Sequence, residues 1–443
     1  MHSTITCCRM FFCLPIAMVL VLDAAAAPPL NFAVHGPGNR DTLTNSVMHT
    51  LPLEEVVNNH QARRDGDYLR TRVISTIAPV VVRQNDPAGP TYQEALGYTF
   101  LLNSPKYPGL CQLDDGTLVL TLTAALSGEM EVREGGDYPG TYVNENTRTD
   151  VILLSEDDGM SWSQPRRIPG YRTTPMSLGG GRLMIRGWNS KIDVPEAFRF
   201  WFSDDRGETW SEEEVVPALP DGRAVNTDVS PKMLIEGDMV RFVFYTSAGT
   251  MIWPYNHVTH QWGEPYFFSD EWLKAARCSE GSLARAANGN LVGCFRSHRP
   301  GIASPFDGWR GIVTSYSSDD GQTWSEPAVH SLYGHVHHTL LPFPDGRVLM
   351  TYAARIGELD GRTYHGHDAV MSHDNGKTWD WERRYILFRR GVAHSQHSPR
   401  SVLLDDGRVL TVYMHPASYS WRDEDTKGNL KAISNVSIVI WQP

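Results

Sequence analysis

Nine residues ahead of six regularly recurring turn glycines, Gly116, Gly181, Gly237, Gly289, Gly346 and Gly407, stand Tyr107, Arg172, Asp228, Glu280, His337 and Ser398. One position to either side adds Lys106, His338 and His397. Strands that only hold a fold together carry Val or Ile at such places. Here both signs of charge and several imidazoles share one register. A ring of that make-up suits a single compact ligand and the movement of protons to and from it.

The elements that must position this ring are announced by two repeats. The first is an eight-residue box, Ser-x-Asp-x-Gly-x-Ser/Thr-Trp, found at Ser155–Trp162, Ser203–Trp210, Ser317–Trp324 and Ser372–Trp379. It reads as a hairpin tip: the Asp carboxylate folds back on backbone N–H groups, the Gly supplies positive φ and the Trp packs the turn on its own sheet. The boxes therefore speak for architecture and not for chemistry. The second repeat is the glycine series itself, with apolar runs on both sides and gaps of 65, 56, 52, 57 and 61 residues, each a pair of strands joined by a tight turn. A double interval separates the second and third boxes, and there Trp262-Gly-Glu-Pro265 repeats the tail Trp324-Ser-Glu-Pro327, the remnant of a decayed box. Six units of four strands make an all-β, six-bladed β-propeller. Because the innermost strand of each blade lines the central funnel, one fixed offset should face one site.

Organisation and partners follow from composition. Arg9, the apolar run Met10–Leu22 and the alanines before Pro28 have the plan of a secretory signal peptide over residues 1–27, which places the protein outside the cytoplasm, secreted or periplasmic, without a stable membrane anchor. Residues 28–93 lack the repeat and read as an N-terminal arm with a lead-in strand around Val73–Val82; the propeller occupies 94–443. A net charge of −11 without any long Lys/Arg run argues against nucleic acid as a partner. Beyond the leader, Cys111, Cys278 and Cys294 have no metal-type spacing and read as buried free thiols, with Cys278 and Cys294 near enough in the blade to pair. No metal or cofactor is expected.

From Lys106 to Tyr413 the chain resembles the sialidases and their wider superfamily of Asp-box propellers. Ser279-Glu280-Gly281-Ser282-Leu283, Asn288-Gly289-Asn290-Leu291 and Phe295-Arg296-Ser297 resemble the segment that supplies the nucleophile-activating Glu and one Arg of the carboxylate-gripping triad. The resemblance then implies that Glu280 is catalytic and that Arg296 binds the substrate. Elsewhere the chain departs from the pattern. The opening Arg-Ile-Pro-x-Leu appears as Lys106-Tyr107-Pro108-Gly109-Leu110, a point charge in place of a bidentate fork. Where the third Arg is expected stand Tyr364-His365-Gly366-His367, with Arg362 displaced, and where the Tyr nucleophile is expected stand Ser398-Pro399-Arg400. The acid/base Asp has only Glu129, Glu131, Glu134 and Asp137 as candidates.

A ring so altered admits two chemistries for a terminal, acidic or neutral sugar. Paired carboxylates, Glu280 with Asp228 or an acid of the 129–137 loop, would serve hydrolysis. Alternatively His337, His338 or His397 would act as base near neutral pH, with Lys106 or Arg296 neutralising a uronate, in hydrolysis or elimination. Arg172, His338, His365 and Arg400 complete the candidate binding set. Trp188, Trp253, Trp309, Tyr316 and Tyr333 are candidates for a stacking rim, Trp309 foremost. A non-catalytic carbohydrate- or protein-binding propeller, its machinery lost with the Tyr, is the alternative.

Overall fold

The computed structural model describes three short strands before residue 84 and most of residues 102–443; the interruptions are 127–129, 134–139, 145–148, 164, 189–197, 220–224, 226–232, 247–248, 268–277, 299–309, 331–334, 360–361, 382–383, 391–398, 417–429 and 433. The described residues are all-β and form eight antiparallel sheets, of which six are the blades of a propeller and one joins Met130–Arg133, Gly140–Asn144 and Leu430–Ala432. Blade 1 is Leu102–Gln112, Leu118–Leu126, Thr149–Ser155 and Arg166–Ile168; blade 2 is Tyr171–Gly179, Arg182–Trp188, Phe198–Ser203 and Glu214–Val215. Blade 3 runs Leu234–Glu236, Met239–Thr246, Gly249–Asn256 and then Gln261–Trp262 with Tyr266–Phe267; blade 4 is Ser279–Arg285, Leu291–His298, Arg310–Ser317 and Ala328–Val329. Blade 5 is His335–Pro342, Val348–Leu359, Arg362–Ser372 and Tyr385–Arg390. Blade 6 is Arg400–Leu403, Val409–Pro416 and Ser434–Trp441, with Val80–Arg83 as its outer strand. The last blade is thus closed by a strand from the other end of the chain, which pairs Val80 with Ile438 and Val81 with Ser437. The other early strands, Met48–Leu51 and Thr71–Ile74, pair with each other.

The core is divided in six, one apolar cluster between each adjacent pair of blades. Alternation along a strand explains it: Leu118, Leu120 and Leu122 pack toward blade 6 with Leu410 and Val412, while Val119 between them packs toward blade 2 with Leu183 and Ile185. Both faces of a blade are therefore apolar, as a sheet buried on both sides requires.

The boxes form as their residue types demand. In the first, Ser155 Oγ accepts from Gly159 N at 2.8 Å, Asp157 Oδ1 from Ser161 N at 2.8 Å, and the Trp162 indole donates to Gly159 O at 3.1 Å. The φ of Gly159 is +81°, and the residue before it, Asp158, is left-handed too. In blade 3 His257 stands at the Asp position counted back from Trp262, and Asn256 beside it caps the turn, its Oδ1 accepting from Val258 N and Thr259 N, while Trp262 stays packed on the blade 2–blade 3 core. The Asp–Gly turns are five-residue loops in blades 1, 4, 5 and 6, as in Leu113–Thr117, where Leu113 N donates to Thr117 O. Blade 3 differs. Glu236 pairs directly with Met239 across Gly237 and Asp238, so the nine-residue offset from the turn glycine does not carry over to that blade.

Candidate functional site

The first strand of each blade begins at one face of the propeller and runs to its Asp–Gly turn on the other. The third strand likewise runs down to the box, so both kinds of turn share the far face and the strand starts surround the mouth of the funnel. At those starts four blades repeat one irregularity. The ladder shifts register between Lys106 and Gly109, Tyr171 and Thr174, Ser279 and Ser282, and Val336 and Thr339. Within each shift one residue is left-handed: Tyr107 at φ +52°, Arg172 at +53°, Glu280 at +49° and His337 at +54°. These are four of the six positions singled out by spacing. A non-glycine residue in this region costs about 1–2 kcal/mol, and such bulges serve to re-aim a side chain out of the sheet.

A bulge removes backbone groups from the ladder, and a neighbouring blade takes them up. At the blade 2 bulge Arg172 N donates to Thr123 Oγ1 at 3.2 Å, Thr173 N to Asp150 Oδ2 at 2.6 Å, and Thr173 O accepts from Thr121 Oγ1 at 2.8 Å, all three partners coming from blade 1. Thr123 Oγ1 in turn donates to Asp150 Oδ1 at 2.6 Å. Asp150 is fully enclosed, and burial pushes its carboxyl up to about 6 despite these donors. Close approach is also required: a Cβ on Gly109 would stand 2.5 Å from Pro175 Cδ.

The blade 4 and blade 5 bulges converge. Glu280 Oε1 accepts from Arg296 Nη1, carried by the second strand of the same blade opposite Ser279, and Glu280 Oε2 stands 3.3 Å from His337 Nδ1. All three side chains are buried. A carboxylate is thereby held between a guanidinium and an imidazole at the mouth. On the opposite side of the ring the Arg172 guanidinium lies over the Tyr107 ring, 4.1 Å from its centroid, and both residues are half-buried.

The remaining candidates divide. His338 is an interblade strut: it is buried, and its Nε2 bonds the carbonyl of Cys294 in blade 4 at 2.8 Å. Neighbours in an extended strand point to opposite sides, which is why adjacency to His337 did not bring it to the funnel. Arg400 is buried on the innermost strand of blade 6. Lys106, Trp188 and His365 occupy strands whose side chains lie outside the described set, as does Glu131. Asp228, His397, Trp309, Tyr333, Glu129, Glu134 and Asp137 lie outside the described residues, as does the leader over 1–27. Trp253 does not rim the funnel; it is buried in the blade 2–blade 3 core with its indole N–H on Gly263 O. Tyr316 lies one residue before the blade 4 box, on the far face, under Lys377. Cys278 and Cys294 are buried and Cys111 partly buried, and none of the three is in a disulfide.

Sequence reasoning missed a buried ion pair in blade 5, Arg384 Nε to Asp368 Oδ2 at 3.1 Å. Burial and Arg384 hold the nearby His335 neutral, well below its usual range. No spacing signals Arg384, which follows the box in an irregular segment. An open groove of about 640 Å³ lies away from the mouth, at the blade 2 box, lined among others by Arg182, Phe202, Trp210, Glu214 and His260. Among the described residues no three metal-ligating side chains gather, and no helix is long and apolar enough to cross a membrane.

Residues 182–363 match the family model described as a BNR repeat-like domain. No curated protein matches the chain. A Dyadobacter fermentans protein of unknown function has a similar structure, with TM-score 0.56 and 15% identity over 82% of this chain and 98% of that one. The GH93 α-L-arabinofuranosidase of Fusarium graminearum, solved with arabinobiose, gives 0.52 and 13% over 83% and 98%. The NanB sialidase of Streptococcus pneumoniae, as its K499G mutant, gives 0.50 and 12% over 77% and 68%. At these identities the likeness is one of fold.

Proposed function

On the frame of a six-bladed Asp-box propeller of the sialidase-like superfamily, we propose that this protein is an exported exo-acting glycoside hydrolase that removes a terminal, acidic sugar from glycans. The observation that carries the reading is Glu280, left-handed in a strand bulge, buried, and bound on one oxygen by Arg296 with His337 3.3 Å from the other. Backbone strain and a buried charge at one position are features that persist where they serve a site. In a carboxylate–imidazole pair the carboxylate fixes the tautomer and stabilises the imidazolium, and the opposite ring nitrogen carries the proton chemistry. Glu280 and His337 thus form a proton-transfer pair, and Arg296 balances its charge and orients the carboxylate. The kinship of fold with an arabinofuranosidase and a sialidase supports hydrolysis of a glycosidic bond.

The Glu280–His337 contact also favours a second reading, histidine-dependent processing of a uronate by hydrolysis or elimination. One experiment separates the two. The protein from residue 28 onward is incubated with sialosides, uronic-acid-terminated oligosaccharides and neutral terminal glycosides, beside Glu280→Gln. Release of a saturated terminal sugar that is lost in the variant is the expected result. An unsaturated product absorbing in the ultraviolet would transfer the assignment to elimination. Binding with no product from any substrate would make the protein a glycan-binding propeller.

A further inference from the structure

Arg172 has no part in the Glu280–Arg296–His337 cluster, yet its bulge is braced from the neighbouring blade. Three blade 1 side chains, Thr121, Thr123 and Asp150, satisfy the N–H and C=O groups that its bulge takes out of the ladder. One of them is a carboxylate enclosed without a cationic partner among its shown contacts, a costly way to hold a strand that a hydroxyl could hold. The side chain so placed is half-buried, its guanidinium over the rings of Tyr107 and Tyr171 at 4.1 and 5.1 Å from their centroids, Tyr107 itself being left-handed in the neighbouring blade. Stacking uses the faces of a guanidinium, while its hydrogen-bonding chemistry lies in its plane, in a fork that fits a carboxylate. The long side chain is also pre-ordered by the ring, so less rotamer freedom is lost when an anion arrives.

We infer that Arg172, stacked on Tyr107, is the specificity-determining residue that selects ligands bearing a carboxylate, and that Asp150 is the positioning residue that fixes its bulge. This deepens the glycosidase reading and rests on it for the sugar, but the recognition step is separable from catalysis. The sequence alone offers the same contrast in charge: a chain of net charge −11 presents an arginine at the mouth of its funnel. Asp150 acts through backbone, by accepting from Thr173 N, so a side chain that keeps one acceptor there should suffice.

The test compares two probes that differ only at the anion, N-acetylneuraminic acid and its methyl ester, with D-glucuronic acid and its methyl ester as a second pair. Affinities are measured by titration calorimetry on the wild type, Arg172→Ala, Arg172→Lys, Asp150→Ala and Asp150→Asn. For at least one pair the wild type should prefer the acid by about tenfold or more, the scale of one charge-assisted hydrogen-bonded pair. Arg172→Ala should bring that ratio close to one while leaving ester affinity within about twofold, and Arg172→Lys should restore only part of it. Asp150→Ala should lower the ratio and Asp150→Asn should restore it, a pattern that general destabilisation would not give. An acid-to-ester ratio near one in the wild type, or a ratio unchanged in Arg172→Ala, overturns the inference. Glu280→Gln keeps the two proposals apart: undiminished turnover in that variant would sink the catalytic reading and leave the acid-to-ester ratio to judge Arg172.

Discussion

The two ends of the propeller use the same backbone state for opposite purposes. At the box face Asp158, Arg206, Asp320 and Asn375 are left-handed, each followed by a left-handed glycine in an exposed hairpin tip. Their side-chain types vary because the turn, and not the side chain, requires the conformation. At the mouth Tyr107, Arg172, Glu280 and His337 are left-handed inside strands, where a flat ladder was the cheaper choice. The charges differ accordingly. The box Asp319 is only half-buried and held down to about 2, first by its Thr323 partner, whereas Asp150, behind the mouth, is enclosed and raised to about 6 by burial. One ring spends conformation on closing turns, the other on aiming groups.

Four perturbations would break or sharpen that contrast. The largest effect belongs to Glu280→Gln, which should reduce turnover by about 10²–10⁴, as removal of a proton-transfer group does, and should lower the melting temperature as well, because the buried Arg296 is left facing a neutral amide. Steady-state kinetics beside calorimetry check it, and loss of activity only through unfolding would contradict it. Next, removing one partner of a buried ion pair should cost far more than removing one from the surface. Arg296→Ala, which strands Glu280, should lower unfolding free energy by about 3–5 kcal/mol. Arg206→Ala, which frees the exposed Asp115 on the box face, should change it by less than about 1 kcal/mol. Urea titrations of the pair read both.

The third perturbation exchanges glycine between the rings. Gly376→Ala forces a Cβ to within 2.5 Å of Val292 at φ +82° and should destabilise by about 1–3 kcal/mol. Arg172→Gly relieves a left-handed residue but loses the contacts with the Tyr107 and Tyr171 rings, so stability should change by less than about 1 kcal/mol while acid recognition is lost. The last effect is in pH. Because the folded state holds the Asp150 proton up to about 6 and the unfolded chain releases it near 4, its contribution to stability is full at low pH and is lost as pH rises through that window. Asp150→Asn should remove this slope, at most about 1.4 kcal/mol per pH unit, measured as unfolding free energy between pH 4 and 7.

The fold was legible because its turns are local. The carboxylate-and-hydroxyl cap of each box, its Gly and its Trp lie within eight residues, so the sequence contains the whole device. Even the decayed copy could be placed by Trp262. The offset that picks out Tyr107, Arg172, Glu280 and His337 was visible too: it rests on five-residue loops in blades 1, 4 and 5, and in blade 2 a register shift between Ser177 and Gly179 keeps the same count across a tighter turn. It stops at blade 3, where a two-residue turn changes the count. What sequence could not show is the bulge, whose stability comes from groups far along the chain: in blade 2, Thr123 for the Arg172 N–H and Thr121 and Asp150 for Thr173. Nor could it separate His337 from His338. Identical neighbours part company only when the strand kinks between one blade and the next.

The strand Val80–Arg83, which fills the outer edge of blade 6, also makes the ring a lock whose key is cut at the opposite end of the chain. During synthesis the early strand has no partner until Ser434–Trp441 emerges, so five blades can be complete while the circle stands open. Closure is then the longest-range event in folding, slow by the entropy of joining distant segments and resistant to reversal once made. The order that this imposes, assembly first and sealing last, means that a chain lacking either of these two strands can complete five blades and still fail to close its ring.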